Sequence, residues 1–93
     1  MSSYKVSKVT YEYNGYPNYE TWNIELWIDN EEWLYNERIR FLKYNSTIGA
    51  AEVELFCRGM FPDGTPDMCG ASDMEKVDWE HLAELWREEA EDL

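Results

Sequence analysis

The segment "VDWEHLAELWREEAEDL", residues 77–93, constrains the fold more tightly than any other part of the chain. From Trp79, the residues Leu82, Ala83, Trp86, Ala90 and Leu93 follow at 3, 4, 7, 11 and 14 positions, the repeat of one helix face. Asp78 stands where an N-cap is needed. One face of this helix is core and the other is acid. On the outer face Glu80, Glu84, Glu88 and Glu91 follow at spacings of four, four and three, so they form a single carboxylate stripe. Their charges lie about 4.5 to 6 Å apart along the axis. Like charges at i, i+4 destabilise an isolated helix by about 0.2–0.5 kcal/mol per pair. Glu88, Glu89, Glu91 and Asp92 also crowd the C-terminus, where the helix dipole disfavours them. Selection for stability alone would have put lysine there, which marks the stripe as a candidate binding surface.

The remaining residues must provide the other side of a modest core. Ninety-three residues make one domain. It should fold alone or as a small oligomer such as a homodimer, and its 16% aromatic content lets few side chains bury much area. We expect a mainly α-helical domain of about four helices. Residues 1–17 form a short strand or an extended arm, 18–60 are helical, 61–72 are a loop, and 73–93 hold the acidic C-terminal helix. Residues 4–13 alternate β-branched or aromatic residues with polar ones, with one slip, before the turn signal Asn14-Gly15. Asn18 caps a helix predicted over Tyr19–Asp29, with Glu20 in its first turn. Tyr19, Trp22 and Leu26 make its stripe, widened by Ile24, Trp27 and Ile28. Asp29-Asn30 breaks or kinks this helix and caps a second, which runs to about Lys43 through Trp33, Leu34, Ile39, Phe41 and Leu42. A third starts near Ser46 or Thr47 and ends at Met60, with Gly59 as its C-terminal glycine. The prolines and glycines of "FPDGTPDMCG" make residues 61–70 a loop. Residues 71–76 form one short helical turn.

Charge narrows the choice of partner. Twenty acids against eight bases give −12, and residues 73–93 alone carry nine acids and two bases. Such a surface repels nucleic acid and anionic membrane and steers basic partners toward itself. Direct nucleic-acid binding and membrane binding are therefore not expected. No run approaches the roughly 18 apolar residues of a membrane span, and the N-terminus lacks a signal-peptide core, so a cytoplasmic protein is predicted. Cys57 and Cys69 are then free thiols.

Enzyme chemistry finds little support. His81, the only histidine, has no serine or cysteine at a nucleophile spacing. Cys57, Cys69 and His81 fall short of a closed zinc site, which takes four ligands. The glycines form no phosphate loop. No catalytic residue, metal or cofactor is predicted.

Two blocks carry a resemblance. Asn18, Tyr19, Glu20, Thr21, Trp22 and Asn23, followed by Leu26, Trp27 and Ile28 and then Asn30, Glu31 and Glu32, form the first; Val77, Asp78 and Trp79 form the second. Together they resemble a family of small uncharacterised proteins carried by phages and by bacteria bearing prophages or plasmids. The resemblance implies a mobile-element setting and supplies no mechanism. The tryptophans read as structure: Trp22, Leu26 and Trp27 pack against Trp79 and Trp86, while Glu20 and Asn23 hydrogen-bond to indole N–H groups or to the preceding turn. A base-stacking platform would need a positive groove.

In that setting the expected function is inhibition of a bacterial antiviral system, CRISPR interference or restriction. Glu80, Glu84, Glu88 and Glu91, with Asp29, Glu31 and Glu32, would occupy the basic nucleic-acid-binding surface of a host defence protein. The alternative is a regulatory or structural protein that binds a host protein through an aromatic and acidic patch. A third reading is an acidic module serving solubility within a larger assembly.

Overall fold

A computed structural model describes Tyr13 and residues 15–93. Most of the predicted strand or arm therefore lies outside the described residues. Among those described there is no strand, and the protein is mainly α-helical. Its helices are α1 (Tyr19–Asn30), α2 (Glu32–Tyr44), α3 (Ala50–Met60) and α4 (Trp79–Glu91), with a 3-10 helix, Ala71–Lys76, leading into α4. α4 lies against α3, and α1 against α2; both α1 and α2 also reach α4.

Local chemistry accounts for most boundaries. Asn18 Oδ1 accepts the Thr21 N–H at 2.9 Å and caps α1. Asp78 Oδ1 accepts the His81 N–H at 3.0 Å and caps α4. Between α1 and α2 a single extended residue, Glu31, turns the chain, and neither Asp29 nor Asn30 acts as a cap. α3 begins at Ala50, later than Ser46 or Thr47, because Gly49 takes the cap position and the Glu52 carboxylate accepts its N–H at 3.1 Å. Gly59 lies inside the last turn of α3, and the helix stops at Phe61, so this glycine is no C-terminal cap.

Trp86 is the largest fully buried side chain. Around it lie Ile24 and Ile28 of α1, Leu34 and Leu42 of α2, Val53 and Cys57 of α3, and Leu82 and Ala83 of α4. Phe41 and Phe56 meet the Trp86 ring edge-on at 5.9 and 5.7 Å. The face that α1 buries is Thr21, Ile24 and Ile28 with Asn23, and this corrects the predicted stripe. Trp22 and Leu26 are only half-buried and stand outside the core. Trp22 packs instead on Tyr13 and Tyr19, at 6.0 and 5.7 Å. Trp27 and Trp79 are half-buried against the core edge. On α2, Trp33 points outward and is 58% exposed.

Candidate functional site

Asn18, Thr21 and Asn23 of the first block are spent on hydrogen bonds within the fold. Asn18 Nδ2 donates to Lys76 O at 2.7 Å, and the Asp78 N–H donates to Thr21 Oγ1 at 2.8 Å. Those two bonds tie the start of α1 to the start of α4, so the two blocks of the resemblance are one joint. Asn23 Nδ2 and Trp27 Nε1 both donate to Asp67 Oδ2 at 2.9 Å, and the Thr65 hydroxyl donates to Asn23 Oδ1. These bonds pin the 61–70 loop to α1. The bonds from Asn23 first, then Trp27, hold the Asp67 carboxyl below its usual range. The indole acceptors are thus Asp67 and, for Trp86, Glu25 Oε1 at 3.0 Å, in place of Glu20 and Asn23.

A second network centres on Arg38, which is 3% exposed. Its Nη1 meets Glu25 Oε2 at 2.8 Å, its Nη2 meets Asp29 Oδ1 at 2.7 Å, and its Nε faces Glu89 Oε1 at 3.3 Å without hydrogen-bond alignment. The guanidinium also lies 5.3 Å from the Tyr35 ring centre and 5.5 Å from that of Trp86. Burial alone would lower the Arg38 pKa, but Glu25, Glu89 and Asp29 together raise it. Burial raises the Glu25 carboxyl more than Arg38 and the Trp86 indole lower it. This cluster links α1, α2 and α4. Sequence reading passed over Arg38, although the signal was present: Leu34, Arg38 and Leu42 recur at i, i+4 and i+8, with a charge where the period calls for an apolar residue.

The seven acids expected at a partner surface fall into separate groups. Glu80, Glu84, Glu88 and Glu91 are all exposed on α4, opposite Leu82, Ala83 and Trp86. Glu80 is paired with Arg87 Nη2 at 3.2 Å, and Arg87 Nη1 reaches Ile48 O at 2.8 Å. Glu84, Glu88 and Glu91 have no ion-pair partner among the described residues. Asp29, in contrast, is committed to Arg38 beside Glu89, on the flank of α4 about 100° round from Glu88. Glu31 and Glu32 are exposed at the α1–α2 junction. The structure therefore does not gather Asp29, Glu31 and Glu32 onto the α4 stripe.

Other chemistry is sparse. Among the described residues no group of three or more His, Cys, Asp or Glu side chains is placed to hold a metal ion. No helix there is long and apolar enough to cross a membrane. Cys57 is buried and Cys69 exposed, both as free thiols.

Fold and surface together define a small acidic helical domain, closed around a buried arginine and carrying an exposed carboxylate face. The chain belongs to a family of unknown function (DUF7249), whose family model matches residues 9–93. No curated protein and no solved structure matches it.

Proposed function

We propose that this protein is a non-enzymatic inhibitor that covers the basic nucleic-acid-binding surface of a bacterial antiviral defence protein, of a CRISPR or restriction system. The observation that carries the reading is the outer face of α4. Glu84, Glu88 and Glu91 are exposed, without an ion-pair partner among the described residues, and in a row on a helix held by Trp86 and the Asp78 cap. Phosphates present charge in rows as well, and lysines and arginines that neutralise phosphates can be met by carboxylates on a fixed frame. The phage setting rests on the resemblance of the two sequence blocks. Since Asp29 is spent on Arg38, the working set reduces to Glu84, Glu88 and Glu91 with Glu80, and Glu31 and Glu32 stand apart from it.

A mobility-shift assay tests the proposal, using purified CRISPR effector and restriction complexes with their own nucleic acid. The chain should lower nucleic-acid occupancy of at least one of them, with an effect that fades steeply between about 50 and 200 mM salt. A slower ternary species, with chain and nucleic acid bound together, would show that the two surfaces differ and would overturn competition.

A further inference from the structure

A groove of about 450 Å³ runs between the α1–α2 junction and the 61–66 loop. Its walls are apolar: Trp27, Trp33, Leu34, Met60, Phe61 and Pro62. Among the described residues the charged ones lining it are Glu31 and Asp63, both acidic, and no residue of α4 takes part. Nothing in the joints described above uses Trp33, yet this indole stands 58% exposed on the groove wall. Large exposed aromatic surface beside a concave apolar face is characteristic of a binding patch.

The groove is also built in advance. Its loop folds as two consecutive turns, closed by the Gly64 N–H to Phe61 O and the Met68 N–H to Thr65 O, both at 3.0 Å, with proline second in each. Gly64 has φ +85°, and a Cβ there would stand 2.9 Å from Gly70 O, so only glycine fits. Asn23 and Trp27 hold the next residues through Thr65 and Asp67. A wall fixed in this way has little conformational freedom left to lose on binding.

We infer that this groove docks a basic segment of a partner protein, which seats one or two large apolar side chains against Trp33 and pairs flanking lysine or arginine with Glu31 and Asp63. Charge complementarity selects this occupant. A second copy would bring another −12 surface against Glu31 and Asp63, and a nucleic acid would bring phosphates. The surface is separate from the α4 stripe, so either one can fail without the other.

The probe is the capped peptide Arg-Arg-Leu-Leu-Arg-Arg, titrated into nitrogen-15-labelled protein while the indole N–H signals are followed. Trp33 and Trp27 should shift, and buried Trp86 should not. Replacing the probe's leucines by glycine, or its arginines by glutamate, should weaken binding at least tenfold. Trp33→Ala should do the same with unchanged melting, and the double variant Glu31→Gln, Asp63→Asn should weaken binding several-fold at low salt. Glutamine at Glu80, Glu84, Glu88 and Glu91 should leave probe binding intact. The inference is overturned by equal binding of the glycine probe or of the glutamate probe, by a still Trp33 signal, or by loss of binding in the stripe variant. Trp33 signals that move with protein concentration in the absence of probe would place a second copy in the groove, and that too would overturn it.

Discussion

Replacing Arg38 by methionine removes the charge that three carboxylates share and keeps much of the side-chain volume. Glu25 is hit hardest, because it is 12% exposed and loses its 2.8 Å partner, whereas Asp29 is half in water. Breaking a buried pair from one side costs about 3–5 kcal/mol. Roughly 0.05–0.15 kcal/mol per residue is the usual net stability, so the loss is a large part of the whole. For a domain this small it lowers Tm by about 12 °C or more. The pH dependence has a definite sign. Burial raises the Glu25 carboxyl in the fold, so Glu25 contributes stability that is present below its unfolded value, near about 4.3, and is lost as pH rises through the folded value. Without Arg38 that folded value moves higher still. Arg38→Met should thus stand closest to the parent near pH 4 and furthest below it near pH 8. Adding Glu25→Gln should recover most of the deficit at pH 8, since a neutral amide can still accept the Trp86 indole bond. Urea melts followed by tryptophan fluorescence at both pH values are the assay. A single variant within about 1 kcal/mol of the parent at pH 8, or a deficit that does not change with pH, would refute the reasoning.

Trp86→Ala should cost about 3–5 kcal/mol, and Trp22→Ala, at a half-buried site outside the core, roughly half as much; comparable urea midpoints would contradict the burial difference. Gly64→Ala should destabilise by about 1–2 kcal/mol, because its φ is positive and the Cβ meets Gly70 O. Gly59→Ala, with open space at its Cβ in a helix, should stabilise by about 0.5–1 kcal/mol, and thermal melts read both. Burial pushes the Cys57 thiol well above its ordinary range, and the Glu25 charge adds to this; a disulfide reagent at pH 8 should therefore titrate Cys69 alone in the folded protein and both thiols in denaturant.

Features set by neighbours in sequence were legible. The α4 face from Trp79 through Ala90, its Asp78 cap, the Asn18 cap and the short turn at 71–76 all depend on residues within one or two helical turns, and the structure has each, whereas Leu93, expected on the same face, lies past the helix end and is 53% exposed. What depends on distant partners was not. Trp22 and Trp86 look alike along the chain, and only the packing of α3 and α4 decides that Trp86 is enclosed while Trp22 leans on Tyr13 and Tyr19. Arg38 can be buried only because α1 and α4 bring Glu25, Asp29 and Glu89 to it, and of these Asp29 was expected at a partner surface. Ser46 and Thr47 are good caps locally, yet Gly49 with Glu52 took the position. Of the candidate partner surface, the α4 row could be read from spacing. Its separation from Asp29 could not, because it follows from the Arg38 network.

The central claim is that the outer carboxylates of α4 do the work while the block around Trp22 holds the fold. Plating efficiency of a targeted phage on cells that carry the susceptible defence system measures this directly. Cells expressing the parent chain should restore plating. Glutamine at Glu80, Glu84, Glu88 and Glu91 should abolish that restoration, while the melting temperature stays the same or rises slightly as the like-charge repulsion is relieved. Full restoration by the glutamine variant at equal expression would contradict the claim and reduce the stripe to a solvated face.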